Sequence, residues 1–467
     1  MAIHQLSKST FIRGQQCVKS LYLNKFHSKL RDRISPEQMA KFKRGTDVGV
    51  LARDLYPGGI DLSPKSPSQY PKKVLETALA MQNPDIQVIY EACFVYEEVL
   101  ILLDILVRQE NGWLACEVKS SLKLSETYRS DAALQYFVLK GVGVEMTDFQ
   151  LIYLNKDYVL HQKLNLHELF ISESVLEEVR LRETEIGHKI DTLKNVLKSD
   201  TIPDIPIGPQ CENPYPCDFR DYCWKNIPDT SLFKLDAFPE DLLFSWFHSG
   251  IIRVSDIPSD NIHSEEQNKQ INSLIENKPS FDNKKITDYQ NLFKGKKIAV
   301  LKTIIHWPAV PEVEGAKPYE KQVLAVHISG NDGSSNTWFF NSGNYPTDTL
   351  HQILNTLHSF DYLILDQYEF IEIMQDSGII IESEKLLFIH EILNEIRYFH
   401  PVSGSNRNLS ELHFRLFPTS LPLKNEIYLI TDLLSEPKGN WSIENSLKYM
   451  GKSIHKLVEL LIFEEVR

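Results

Sequence analysis

The sequence predicts an α/β chain: a mixed sheet flanked by helices, followed by a second α/β domain. Three observations lead there. The run VIYEACFVYEEVLILLDILVRQENGWLACEVKSS, from Val88, is rich in Val, Ile, Leu and aromatics and is interrupted at Glu97-Glu98 and Asn111-Gly112, the pattern of a three-strand meander. Apolar residues at helical spacing lie on both sides of it. From Lys297 a second set of strands, KIAVLKTII, QVLAVHIS and NTWFFN, alternates with helical segments. A chain of 467 residues has room for two or three such domains, each with its own core.

The elements follow in order. Residues 1 to about 55 read as helical, ended by Pro57, Gly58 and Gly59. After the meander, helical spacing returns from Ser125 to about Gly141. A short strand, FQLIYL, comes next, then a long charged helix from about Glu173 to Lys198. The stretch GPQCENPYPCDFRDYCW closes this first domain, residues 1–225. Residues 226–295 read as a helical connector in which DLLFSWFHSGIIRVSDIPS gives two short helices joined at Ser249-Gly250. That pair is similar to the hairpins that grip a DNA backbone through turn amides, but an ordinary helical connector is the favoured reading. Residues 296–467 form the second α/β domain, with helices around Thr349–Ser359 and Ser383–Arg397.

Composition narrows the function classes. An apolar fraction of 42% and a charged fraction of 24% are those of an ordinary globular protein. No apolar run approaches the roughly 18 residues of a membrane span, and MAIHQLSKSTFIRGQQ lacks the apolar core of a secretory signal, so a cytoplasmic location without a membrane partner is expected. Six cysteines in so long a chain are not a disulfide scaffold; clustered thiols in a reducing compartment point to metal or redox chemistry. The net charge of −13 falls entirely after residue 200. The first fifty residues hold ten basic and three acidic side chains, Lys41, Lys43 and Arg44 among them. Such a patch neutralises phosphates or simply solvates a helix.

Register arithmetic on the meander locates a candidate site. Asn-Gly favours a type I′ turn, which needs φ > 0 at both central residues. With Asn111-Gly112 as that turn, Glu110 faces Trp113 and Asp104 faces Lys119, with Glu117 on the same face and diagonal to Asp104. With Glu97-Glu98 as the preceding turn, Tyr96 faces Val99 and Glu91 faces Asp104. Glu91, Asp104, Glu117 and Lys119 then share one sheet face. Asp104 stands between ILL and ILV, where an ionised carboxylate is costly unless paired or bound to metal. Clustered carboxylates suit a hard cation, Mg²⁺ or Mn²⁺; such an ion lowers the pKa of a bound water and stabilises charge on a phosphate. Lys119 is placed to orient or deprotonate that water. The plain alternative is a buried Asp104–Lys119 salt bridge.

Asp104, then Glu117-Val118-Lys119 after a turn, then a helix carrying Gln135-Tyr136, resemble the PD-(D/E)XK nuclease superfamily, in particular its RecB-like and CRISPR-associated exonuclease branch. The resemblance covers residues 1 to about 225 and implies a restriction-endonuclease-like fold acting on DNA, single-stranded or with free ends. It implies that Asp104, Glu117 and the Val118 carbonyl bind Mg²⁺ or Mn²⁺, that Lys119 is catalytic and that Gln135 positions the site. That branch often carries an iron–sulfur cluster held by one early cysteine and three late ones. Here Cys17, in FIRGQQCVKSLYL, takes the early place, and Cys211, Cys217 and Cys223, with five residues between neighbours, take the late ones. All-cysteine ligation suits a [4Fe–4S] cluster or a structural zinc; the family favours iron–sulfur. Cys93 and Cys116 read as small core residues. One position departs from the branch. Its metal-binding histidine, four residues after a glycine, corresponds to Gly49 counted from Gly45, leaving Asp47 or Glu91 as a third oxygen ligand. The departure bears on exonuclease action more than on nuclease action.

The stretch from about Lys296 resembles the uncharacterised domain that often follows such nucleases, which in turn looks like a DEDD-type, ribonuclease H-like exonuclease. Its landmarks here include YLILDQYEFIEIM and SLKYMGKSIHKLVELL. An active version needs acidic residues where Leu301, Thr303 and Ser453 stand; Asp366 and Glu369 remain. A degenerate domain follows, kept for fold, substrate guidance or a protein partner.

Overall fold

The computed structural model describes residues 4–228, 230–341, 343–402, 404–405, 426–435 and 445–449. Two compact units emerge, one of Met1–Lys225 with Pro308–Glu320, the other of Asn226–Trp307 with Lys321–Arg467. Both are α/β, with mixed sheets flanked by helices. Among the described residues, no helix is long and apolar enough to cross a membrane.

The first unit begins with β1 (Leu6–Ser7), α1 (Lys8–Gln16), α2 (Val18–Phe26) and α3 (Pro36–Ala52). Ser7 caps α1 in a capping box with Thr10, and Ser35 caps α3 ahead of Pro36. Then come β2 (Ile60–Asp61), α4 (Tyr70–Gln82), which the periodicity did not announce, and the meander β3 (Val88–Tyr96), β4 (Val99–Gln109) and β5 (Gly112–Lys119). Ser125 caps α5 (Glu126–Gly141), which crosses to β6 (Met146–Leu154), parallel to β5. The long helix expected from Glu173 is instead α6 (Leu166–Leu169), β7 (Phe170–Ser174), α7 (Leu176–Leu181) and α8 (Glu183–Leu197), with α9 (Arg220–Trp224) following in the cysteine segment. Val175 and Arg182 interrupt it, because Glu173 is taken into antiparallel pairing with Leu151. The sheet runs β2-β3-β4-β5-β6-β7, with β1 added against β4.

Two cores sandwich this sheet. Trp113, Ala115, Leu103 and Leu106 face α5, α7 and α8 on one side; Leu114, Cys116, Ile105 and Val107 face α3 and the segment around Tyr158 on the other. Alternation is regular along β5 but breaks in β3 and β4 at Glu91 and Asp104. Ile89 and Ala92 share one core, as do Leu103 and Leu106. Glu91 takes φ +53° there, a conformation costing a non-glycine residue about 1–2 kcal/mol. The two acids therefore stand where the sheet coils and neither face of the core is continuous.

The second unit pairs β8 (Ile298–His306), β9 (Gln322–Gly330), β10 (Ser335–Phe339), β11 (Tyr362–Leu365) and β12 (Leu386–Phe388) in the order β10-β9-β8-β11-β12. The first three are antiparallel and the last two parallel to β8. Helices α10 (Glu240–His248), α11 (Glu265–Glu276) and α12 (Asn283–Phe293), from the expected connector, belong to this unit; Tyr289 and Phe293 of α12 pack on Ile298 and Val300. The second helix expected after Ser249-Gly250 is absent. Gly250 turns at φ +94°, and the chain then makes only 3₁₀ turns at Val254–Asp256 and Ser259–Asn261, as Pro258 stops helix propagation. α13 (Thr347–Leu357) and α14 (Glu369–Asp376) flank the sheet. The helix expected over Ser383–Arg397 is shortened to α15 (Ile389–Glu395), because Leu386–Phe388 pairs with β11. Ser453 and most of its segment lie outside the described residues.

Candidate functional site

The site opens where β4 and β5 part. Their ladder runs from Gln109↔Gly112 to Ile105↔Cys116 and stops. The loop is Glu110-Asn111, not Asn111-Gly112. Neither loop residue has positive φ, whereas Gly112 has φ +144°, and a Cβ there would stand 2.4 Å from the Glu145 carbonyl oxygen. Glycine is needed at the first position of β5 to let β6 approach, so the Asn-Gly signal marks a close contact and not a type I′ turn. The register consequently shifts by two, which preserves the face. Asp104 is carried opposite Glu117 instead of Lys119. The first hairpin keeps its expected register, Tyr96↔Val99 through Ile89↔Leu106, which sets Glu91 opposite Asp104. Glu97 and Glu98 take φ +44° and +58°, the two positive values of a type I′ turn.

Beyond Cys116 the freed Val118 N–H donates to Asp104 Oδ2 at 2.7 Å. Farther along the same edge of β4, Leu6 and Ser7 pair with Val99 and Leu100. The chain then turns into α1, and its first residue, Lys8, reaches the gap: Nζ lies 2.7 Å from Glu117 Oε1. Lys119 Nζ donates to the same oxygen at 2.8 Å and to Asp131 Oδ2 at 2.5 Å. Glu91 Oε1 meets Arg53 at 3.2 Å. Asp47 is exposed on α3, so Glu91 is the acid of the two that stands beside Asp104. Gln135 is fully buried one turn beyond Asp131 on α5.

Four carboxylates and three cations thus share this gap. Glu117 is 2% exposed. Burial alone raises its pKa, but Lys119 and Lys8 overcome that and hold it down at about 2. Asp104 is pushed up to about 7, first by burial and then by the Glu117 charge. Burial also lifts Asp131 and Glu91. Burial pulls the Lys119 ammonium down, but Asp131 and Glu117 outweigh it and raise its pKa above the ordinary lysine value. Lys119 is therefore an ammonium in this arrangement, suited to orienting and neutralising and not to removing a proton. Lys8 and Asp131 escaped the sequence reading. Asp131 left a signal, a polar residue four before Gln135 on the apolar face of α5; Lys8 left none.

Cys17, Cys211, Cys217 and Cys223 line one pocket with Ser20, Ile207 and Phe219. Cys17 ends α1 and begins α2. α1 is fixed against α8 by Gly14, where a Cβ would fall 2.7 Å from Leu193. Arg13 pairs with Asp218, and the Gln16 amide donates to the carbonyls of Gln210 and Tyr215 at 2.8 and 2.6 Å. Burial raises the Cys17 thiol, with Cys217 and Cys211 adding to it, and lifts Cys223 to about 11. Cys93 and Cys116 are fully buried elsewhere, their thiols pushed up to about 12.

Among the described residues, no three His, Cys, Asp or Glu side chains are drawn around a common point able to hold a metal ion. The donor chemistry still fits one. Glu117 Oε2, Asp131 Oδ1 and both amide atoms of Gln135 are buried with no hydrogen-bond partner, and an orphaned buried oxygen costs about 1–3 kcal/mol. The cysteine pocket offers thiols without a carboxylate or histidine among its lining residues.

In the second unit, Lys302 pairs with Asp366, both at most 4% exposed, and Thr303 donates from N and Oγ1 to the other Asp366 oxygen at 3.3 and 3.4 Å. Glu369 pairs with Lys321. Leu301 and Thr303 are both fully buried.

No protein-family model matches this chain, and no curated protein matches it.

Proposed function

We propose that this protein is a metal-dependent DNA nuclease that hydrolyses phosphodiester bonds, with Asp104, Glu117 and Lys119 at its centre. The observation that carries the reading is the buried Asp104–Glu117 pair, opposed across parting strands, with Glu117 Oε2 unpartnered. Like charges so placed are held at a cost that a divalent cation removes. Asp104 and Glu117, with the Val118 carbonyl and Glu91, would hold Mg²⁺ or Mn²⁺. When bound, that ion supplies an activated water and neutralises charge at the phosphate. Lys119 keeps its proton and is placed to neutralise the attacked phosphate and orient the water. Lys8, whose Nζ lies 2.7 Å from Glu117 Oε1, would offer a second ammonium for the scissile group. Asp131 holds Lys119 in place, and Gln135 supports that arrangement from α5. The antiparallel meander followed by a parallel crossover through α5 supports a restriction-endonuclease-like fold.

Cys17, Cys211, Cys217 and Cys223 would hold a [4Fe–4S] cluster or, as the alternative, zinc; either supplies a staple between α1 and the end of the first unit. The strand order of the second unit supports a ribonuclease H-like relationship. Its Asp366, neutralised by Lys302, supports a degenerate site retained for substrate guidance or a protein partner.

The test is cleavage of end-labelled single- and double-stranded DNA with and without Mn²⁺ by the wild type and by Asp104→Ala, Glu117→Ala and Lys119→Ala. Loss of cutting in all three folded variants is expected. Undiminished cutting by all three rules out this site and leaves the second reading, a non-catalytic DNA-binding or scaffold protein. Lys302 on Asp366 favours that reading for the second unit.

A further inference from the structure

Tyr215 lies between Cys211 and Cys217, is 37% exposed, and has its main-chain carbonyl held by Gln16 at 2.6 Å. Lys41 Nζ of α3 sits 5.4 Å from its ring centroid. Phe42, beside Lys41, is 55% exposed. α3 passes over the end of β5, where a Cβ on Gly45 would touch Ser120 Oγ at 3.7 Å. On the other side, Tyr128 of α5 carries Lys119 Nζ 5.1 Å above its ring. Ser130, two residues beyond Tyr128 on α5, donates to Gln15 Oε1 at 3.0 Å, next to the Gln16 that holds Tyr215, so α5 and the Tyr215 loop meet the same end of α1.

We propose that Tyr215, Tyr128 and Lys41 form a base-stacking subsite at the mouth of the acidic gap, which takes the unpaired bases of single-stranded DNA. Every base has a face for an aromatic ring to stack on, and interleaved cations hold the phosphates; that combination grips single strands without reading sequence. Duplex bases are already stacked on one another and present no free face here. The two tyrosines come from separate segments, the cysteine loop and α5, and each has a lysine ammonium beside its ring, Lys41 and Lys119. This subsite rests on the nuclease reading for the identity of its ligand, but binding can be measured without cleavage.

The experiment is fluorescence anisotropy with the full chain, free of divalent cations, and three labelled probes: an oligo-dT single strand, the same backbone without bases, and a duplex. Variants are Tyr215→Ala, Tyr215→Phe and Lys41→Ala. The expected result is at least about fivefold weaker oligo-dT binding for Tyr215→Ala, the lower end for one base–aromatic stack. Tyr215→Phe keeps wild-type binding, the abasic strand binds all Tyr215 variants alike, and the duplex binds more weakly than oligo-dT throughout. Lys41→Ala weakens both single strands and lowers the salt slope by about one. The subsite is overturned if Tyr215→Ala binds oligo-dT as the wild type does, if it loses the abasic strand equally, or if Tyr215→Phe is as weak as Tyr215→Ala. Intact stacking with no Mn²⁺-dependent cleavage overturns the nuclease reading and leaves the subsite standing.

Discussion

Asp104→Asn is expected to stabilise the divalent-free protein above neutral pH, although it alters a side chain within the candidate active site. The side chain accepts the Val118 N–H at 2.7 Å, and an asparagine oxygen accepts the same bond. What is removed is charge. Burial and Glu117 lift the Asp104 carboxyl to about 7, against about 3.9 in an unfolded chain. Between those values the folded protein keeps a proton that the unfolded chain has released, so stability falls as pH rises from about 4 to about 7. Three pH units at about 1.4 kcal/mol each set a ceiling near 4 kcal/mol. Readjustment of Lys8 and Lys119 around the two acids reduces the effect to about 1–3 kcal/mol. Urea unfolding at pH 4 and pH 8 reads it directly. The wild type should lose that amount relative to Asp104→Asn between the two pH values, and the variant should be the more stable at pH 8. Parallel pH profiles, or a variant less stable at pH 8, would refute the crowding of charge at this gap.

The remaining expectations concern three other groups. Lys8→Met should cost about 1–3 kcal/mol in urea at pH 7, below the usual figure for breaking a buried pair because Lys119 stays on Glu117. Glu117 is held at about 2, so its stabilising contribution is present above about 4.3 and is lost as pH falls toward 2; Lys8→Met should begin acid unfolding at a higher pH than the wild type. Anaerobically purified protein should be brown, with a broad absorbance band near roughly 400 nm that Cys17→Ser abolishes; a colourless, zinc-loaded protein would replace the iron–sulfur assignment with zinc. Lys302→Met should destabilise the second unit by about 1–3 kcal/mol by removing a buried cation from Asp366 while Thr303 still donates to it, with Mn²⁺-dependent cleavage unaffected.

Much of the site was legible because it is written in strand periodicity. Glu91, Asp104, Glu117 and Lys119 recur at positions that any even register brings to one face, so an error of two in the β4–β5 pairing changed partners without changing the face. The error arose at Gly112, where a glycine required by the close approach of Glu145 imitated a turn signal. Lys8 was illegible for another reason. It arrives because Leu6 and Ser7 fill the edge of β4 that β5 leaves free, a long-range pairing of two residues with no pattern of its own. Strand β12 was missed, and the helix containing α15 was read as too long, because a three-residue strand cannot outvote the helical spacing around it; pairing with β11 decides its state. The cysteines were legible as a group by type and spacing alone, while their attachment through Arg13, Gln16 and Gly14 depends on how α1 packs.

A Mn²⁺ titration of end-labelled single-stranded DNA cleavage, run beside Glu117→Gln, bears most directly on the proposal that this gap traps a divalent cation for phosphodiester hydrolysis. The expected result is no product without the ion, saturable cleavage as it is added, and none at any concentration in the variant. Cleavage that is independent of Mn²⁺, or equal in Glu117→Gln, would contradict it.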